Sequence, residues 1–269
     1  MFEKTLIPVA NCEDGKELKR VIITLKDLGM NSVILFHVQE GGLLFGKKGL
    51  SWLKCSLKED LEKEGLEVET LTGNGHTATA IAETALFENV YAVYLKARKK
   101  WNVETLFLGS VSRDILRLTD VPTFVHKIRP QIPVDGGAIR HRELVIVYAT
   151  DLEKASYRPL PYLKEFKGAK CYILHIRKRR ADPLSERMWK ERVEEELSKL
   201  EEELRPDFGE VISEQRVGDP ATEVLHTSER INADIIVMGR KEPSFFSAPM
   251  GSTAERIVNE SAASIFLVP

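Results

Sequence analysis

The sequence predicts an α/β chain of two repeated, doubly wound parallel-sheet domains. Three observations carry this expectation. The chain has 269 residues, a natural length for two domains of about 130 each. An internal repeat runs through it. In each half, apolar strand-like runs alternate with amphipathic helical stretches, the pattern of a parallel sheet covered on both faces. Hydrophobic residues make up 43% of the chain, enough to fill a core in each domain.

The repeat is read from four landmarks in the same order. TLIPV at 5–9 returns as LVIVYA at 144–149, and SVILFHVQ at 32–39 returns as KCYILHIR at 170–177. Gly109-Ser110 returns as Gly251-Ser252, and VPTFVH at 121–126 as ASIFLV at 263–268. The two histidines are 138 residues apart and the two glycines 142, so the offset holds across the whole half. Such constancy marks two homologous units. Between them, KIRPQIPVDGGAIRHR at 127–142 carries two prolines and a glycine pair, the composition of a linker. The expected division is a first domain at 1–128, a linker at 129–142 and a second domain at 143–269.

Within the first half, strand 5–9 leads into a helix with Leu18, Val21, Ile22, Leu25 and Leu28 on one face and Gly29 as its stop. Strand 32–38, a glycine-rich loop at 41–49 and a helix with Leu50, Leu53, Leu57 and Leu61 in register follow. Strand 66–71, helix 77–87, strand 91–95, a loop, helix 110–119 and strand 122–126 complete it. The second half repeats the order as strand 144–149, helix 157–167, strand 170–176, helix 185–204, strand 210–216, helix 220–231, strand 234–238, a loop, helix 252–261 and strand 264–268. Trp189, Val193, Leu197, Leu200 and Leu204 form one stripe of the long helix, read as core packing. Right-handed crossovers make each sheet doubly wound.

Charge and cysteine usage narrow the class. Thirty-nine basic against 41 acidic residues leave a formal charge of −2, which argues against nucleic-acid binding by bulk electrostatics. The three cysteines, Cys12, Cys55 and Cys171, lie far apart without metal-ligand or disulfide spacing. No stretch reaches the apolar length of a membrane span, and the opening MFEKTLIPVANCEDG is too short in its apolar run for a secretion signal. A soluble, cytoplasmic protein with neither membrane nor nucleic-acid partner is expected.

In a doubly wound sheet, ligands sit beyond the carboxyl ends of the strands where the winding reverses. A helix beginning at Gly251-Ser252-Thr253 offers backbone N–H groups and the positive end of its dipole to a phosphate. The plainer alternative is that Ser252 is an N-cap and nothing more. GNGHTA at 73–78 fits a dinucleotide fingerprint, but VGDPAT at 217–222 does not repeat it; a turn before a helix explains it better. His37 and His175, at equivalent strand ends, are expected to be packed and hydrogen-bonded. His76 and His226 are candidates to face the clefts. The run RKRR at 177–180 is expected to be a solvated loop.

The segment ADIIVMG at 233–239, a loop, then Gly251-Ser252 and an amphipathic helix resembles the universal stress protein signature. In its ATP-binding branch that signature is Gly, two residues, Gly, nine residues, Gly, then Ser or Thr. YAVYL at 91–95 followed by residues 96–116, with GSVS at 109–112, resembles it as well. The resemblance implies an adenine nucleotide alpha hydrolase-like fold with strand order 3-2-1-4-5 in each half. It also implies association through the fifth-strand edges, Thr123–Val125 and Ile265–Leu267, with homo-oligomers expected. Its ligand would be AMP or ATP, with no metal required. In the second half, Asp151 and the backbone around Ile176 would meet adenine, and Gly239, flanked by Met238 and Arg240, the ribose. Gly251, Ser252 and Thr253 would hold phosphate.

Both copies depart from the signature. In the first half Lys96 and Lys99 replace the two loop glycines and Ala10 replaces the adenine-contacting aspartate, leaving Lys96, Lys99, Gly109, Ser110 and Val111 as a secondary candidate site. In the second half Glu242 replaces the second glycine, and the loop is one residue shorter and contains Pro243 and Pro249. These features favour a short phosphate tail. The leading expectation is a non-enzymatic, adenine-nucleotide-responsive stress module with its best site in the second half. The alternative is a ligand-free interaction scaffold with degenerate loops. A slow nucleotide hydrolase is a third; no base or metal cluster is evident for it beyond a carboxylate such as Glu242.

Overall fold

The computed structural model describes residues 3–10, 15–27, 29–39, 57–99, 106–127, 143–166, 169–177, 182–240 and 250–269. The expected loop at 41–49, Leu50, Leu53, the linker at 129–142, Glu242, Pro243 and Pro249 lie outside them.

The first half contains β1 (Lys4–Pro8), α1 (Gly15–Asp27), β2 (Ser32–Gln39), α2 (Lys58–Lys63), β3 (Glu67–Asn74), α3 (Thr77–Phe87) and β4 (Ala92–Lys96). A short antiparallel hairpin of β5 (Arg98–Lys99) and β6 (Leu106–Phe107) follows, then α4 (Ser110–Leu118) and β7 (Thr123–His126). Its parallel sheet has the order β3-β2-β1-β4-β7, the expected 3-2-1-4-5. Lys4 stands opposite Ser32 and Pro8 opposite Phe36, while Thr5 and Leu6 face Ala92 and Val93 on the other side.

In the second half, β8 (Val145–Thr150) is followed by a short 3₁₀ turn (Lys154–Tyr157), α5 (Leu160–Leu163), β9 (Lys170–Arg177), α6 (Pro183–Leu204) and β10 (Glu210–Val217). Then come α7 (Pro220–Arg230), β11 (Ile235–Gly239), α8 (Ser252–Glu260) and β12 (Ser264–Val268). The order is β10-β9-β8-β11-β12, again 3-2-1-4-5, with each neighbouring pair parallel. The helix expected at 157–167 is replaced by the 3₁₀ turn and the single helical turn of α5. Pro159 and Pro161 explain this, since neither offers an N–H to an earlier carbonyl.

Continuous apolar strands bury because helices cover both faces. Leu6, Ile7, Val33, Ile34, Ile146, Val147, Ile236, Val237, Ile265 and Phe266 are all essentially inaccessible. On the helices only one stripe is buried: Leu18, Val21, Ile22 and Leu25 on α1, and Val193, Leu197, Leu200 and Leu204 on α6. α3 packs beside α4, and α7 beside α8. Helix ends follow local chemistry. α1 stops where Gly29 turns left-handed at φ 94, with Gly29 N–H donating to Lys26 and Met30 N–H to Leu25. The same closure ends α3 at Asn89 and α7 at Asn232, equivalent positions in the repeat, with φ of 49 and 52. Asparagine tolerates this conformation better than other non-glycine residues.

Asp182 caps α6 by accepting from Ser185 N–H at 2.8 Å, and Asp219 caps α7 by accepting from Thr222 N–H at 3.0 Å. The basic run is not wholly solvated. Arg177 turns inward, donating to Gln215 and Glu186. Among the described residues, no helix is long and apolar enough to cross a membrane. Cys171 is buried in β9 and its thiol is pushed up to about 12 by burial, which makes it inert at neutral pH.

The two faces of α6 give a direct stability test. Leu197 is 3% exposed and Leu184 is 68% exposed. Leu197→Ala is expected to cost about 2–5 kcal/mol in urea denaturation through lost burial and the cavity left behind. Leu184→Ala should stay within about 0.5 kcal/mol of the parent.

Candidate functional site

At β8 the winding of the second sheet reverses, because β9 lies on one side of it and β11 on the other. The carboxyl ends of these strands open into a cavity of about 350 Å³, at the small end of the roughly 300–1,000 Å³ usual for small-molecule sites. β8 contributes Ala149 and Thr150, with Asp151 just beyond it; β9 contributes Ile176, and β11 Met238 and Gly239. Pro220 and Val224 of α7 form one wall. Met250, Gly251 and the first turn of α8, Ser252, Thr253 and Ala254, form another, with Ile257 behind them. Apolar side chains dominate, and the polar groups are few: Thr150, the Asp151 carboxylate, Ser156 and the first turn of α8.

Seven of the eight expected second-half residues therefore share one cavity. Arg240 does not line it. Its backbone N–H continues the β11–β12 ladder by donating to Val268 at 2.6 Å, and its side chain is buried elsewhere. The remaining lining residues, among them Ala155, Ser156 and Pro220, had no motif to announce them.

The α8 N-terminus differs from the plain N-cap alternative. Gly251, not Ser252, is the N-cap, with φ 78 and ψ 140, and Ser252 is the first helical residue. Glu255 N–H makes the first bond of the ladder, to Gly251 at 3.0 Å. The N–H groups of Ser252, Thr253 and Ala254 precede that ladder and point outward from the helix end, the arrangement that suits one anion. Gly239 answers to a different neighbour from the one expected. A Cβ there would collide with the Ala155 carbonyl oxygen and lie 2.9 Å from the Ala155 carbonyl carbon. The chain's own turn fills the space the glycine leaves.

Asp151 is exposed, and its Oδ1 accepts from Glu153 N–H at 3.0 Å. His175 is packed as expected, its Nδ1 3.0 Å from the Thr150 carbonyl oxygen. A carbonyl only accepts, so Nδ1 carries the proton and Nε2 is bare. Burial holds the imidazole pKa below its usual value, with the Thr150 hydrogen bond opposing. His37 makes the same contact to Val9 O at 2.8 Å. His76 is exposed beside Thr79 at the start of α3, and His226 is exposed beside Arg216; neither lines the cavity.

The first half is built differently at the matching places. Ala10 follows β1, and Lys96 at the end of β4 forms an ion pair with Glu17 of α1 at 2.6 Å, so its charge is already matched. Lys99 lies in β5. Gly109 caps α4 with φ −62, ordinary for any residue, and Ser110 and Val111 are exposed on its first turn. Among the described residues, no group of three or more His, Cys, Asp or Glu is placed to hold a metal ion.

The universal stress protein family model matches residues 1–127 and again 145–269. The chain belongs to the universal stress protein family. No curated protein matches it. A universal stress protein from Archaeoglobus fulgidus DSM 4304 has a similar structure, with TM-score 0.73 and 20% identity over 99% of this chain and 98% of that one. A protein of unknown function from Pseudomonas aeruginosa PAO1 also gives TM-score 0.73, at 15% identity over 99% and 92%. The cytoplasmic domain of a prokaryotic cation chloride cotransporter gives 0.53, at 13% identity over 99% and 95%. At such identities these likenesses establish the fold alone; the family follows from the double match.

The paired glycines separate the two copies experimentally. Neither Gly109 nor Gly251 has an atom within 4 Å of an added Cβ, so backbone conformation alone decides the outcome. Gly251→Ala is expected to destabilise the chain by about 1–3 kcal/mol through its positive φ. Gly109→Ala should change stability by no more than about 0.5 kcal/mol. Thermal denaturation of the two variants measures both.

Proposed function

We propose that the second half binds an adenine nucleotide in the cavity at the ends of β8, β9 and β11, and that the chain acts as a nucleotide-responsive stress-signalling module. The observation that carries this is the convergence of Asp151, Ile176, Met238, Gly239 and Gly251–Thr253 on one cavity of suitable size. Asp151 accepts a hydrogen bond from the adenine amino group; a carboxylate has about four acceptor positions, of which Glu153 N–H uses one. Ile176, Val224 and Met238 give the base an apolar bed. A phosphate then sits on the N–H groups at the start of α8.

The same geometry supports a short phosphate tail. The helix start offers one clear anion position. In the sequence before it, Pro243 and Pro249 have no N–H to give and Glu242 brings a negative charge. AMP therefore suits the site at least as well as ATP. A ligand-free scaffolding role is favoured for the first half, where Ala10 offers no acceptor side chain and Glu17 already pairs with Lys96.

Calorimetric titration with AMP, ADP and ATP at fixed salt tests the proposal. AMP is expected to bind at least as tightly as ATP, with Mg²⁺ leaving the order unchanged. Asp151→Ala should weaken AMP by about tenfold or more, the cost of leaving the adenine amino group without its acceptor once the base is in the cavity. ATP binding about ten times tighter than AMP, some 1.4 kcal/mol, contradicts the short-tail reading. No binding of any of the three at millimolar concentration leaves the scaffold.

A further inference from the structure

The turn between β8 and α5 is held by a hydroxyl relay. Thr150 and Ser156 are both buried. Ser156 Oγ donates to the Glu153 carbonyl at 2.8 Å, which commits its one proton. Thr150 is therefore the donor in the 2.8 Å contact between the two hydroxyls. Thr150 Oγ1 in turn accepts from Leu152 N–H at 3.0 Å. The chain of donors runs from Leu152 N–H through Thr150 and Ser156 to the Glu153 carbonyl, and each buried hydroxyl is satisfied.

This relay encloses Asp151. Leu152 sits at φ 60, a conformation unfavourable for a bulky residue, so the turn needs outside support. Support comes from the relay, from Tyr148 Oη donating to the Ser156 carbonyl, and from Gly239, whose missing Cβ admits the Ala155 carbonyl. The Asp151 carboxylate is then oriented by Glu153 N–H.

The duplicated half supplies a control. There Val9 and Ala10 stand where the second half has Thr150 and Asp151. The histidine contact survives in both halves, from His37 to Val9 O and from His175 to Thr150 O. The hydroxyl at position 150 and the carboxylate at 151 are absent together from the first half. The histidine contact thus belongs to the fold, and the threonine hydroxyl accompanies the carboxylate.

We infer that Thr150, Ser156 and Gly239 are positioning residues that fix the 150–156 turn and so hold the Asp151 carboxylate at the cavity mouth before a ligand arrives. A group already in place spares the ligand the cost of ordering it. The consequence for affinity rests on the adenine-nucleotide reading; the ordering of the turn does not.

The test has one arm without ligand and one with it. Amide hydrogen exchange of the full chain, followed by NMR, reads the turn. Thr150→Val should speed exchange at Leu152 and Glu153 by about tenfold or more, and Thr150→Ser should stay within about threefold of the parent. Ser156→Ala should repeat the Thr150→Val result, and serves if that variant fails to fold. In AMP titrations Thr150→Val should lower affinity about fivefold, but by less than about twofold in the Asp151→Ala background, the non-additivity of a residue acting through its neighbour. Unchanged exchange, or an equal loss of affinity with and without Asp151, overturns the inference. If the parent takes up no AMP, the nucleotide reading falls, and the exchange arm decides the positioning role by itself.

Discussion

Reversal of the winding at β8 is the constraint on which the rest of the second half depends. From β8 the chain crosses to β9 and onward to β10 on one side, then returns past β8 to β11 and β12 on the other. Right-handed crossovers force the two pairs of helices onto opposite faces. The loops leaving β8 and β11 therefore diverge, and a crevice opens beyond the strand ends. Everything assigned to the site lies along that crevice. Asp151 stands where β8 ends, Gly239 where β11 ends, and Gly251 where α8 returns toward the sheet.

The two halves share this constraint and spend it differently. Their sheets have the same order and their helices stop at equivalent residues, Asn89 and Asn232. The burial that stabilises each sheet does not depend on the residues just past its first strand, Ala10 and Asp151, neither of which is buried. The ends have accordingly diverged. The second half keeps a carboxylate and a glycine-capped helix start of positive φ, whereas the first has Ala10, an internally paired Lys96 and a Gly109 in an ordinary conformation. A shared fold thus coexists with one elaborated strand-end cluster.

Much of the fold was legible because apolar periodicity and repetition report burial directly. α3 and β12 lie where the run of hydrophobic residues places them, and the stripe on α6 is the core face. At 157–167 the expected helix gives way to a 3₁₀ turn and one helical turn because Pro159 and Pro161 interrupt the backbone ladder. The hairpin of β5 and β6 is too short to produce any period. At the site, Asp151 and Gly251 were legible through a family pattern. The roles of Thr150 and Ser156 were not, since a threonine and a serine six residues apart meet only after the turn has formed. Gly239 looked like room for a ligand, but the sequence does not reveal that Ala155 returns to fill it.

The central claim is that one half of a duplicated fold carries the ligand site. Titrating the ¹⁵N-labelled full chain with AMP and following backbone amide shifts by NMR tests it most directly. The account predicts shifts concentrated at Asp151, Ile176 and Gly251–Thr253, with Gly109–Val111 unmoved. Shifts of equal size at Gly109–Val111, or shifts that avoid the start of α8, would contradict it.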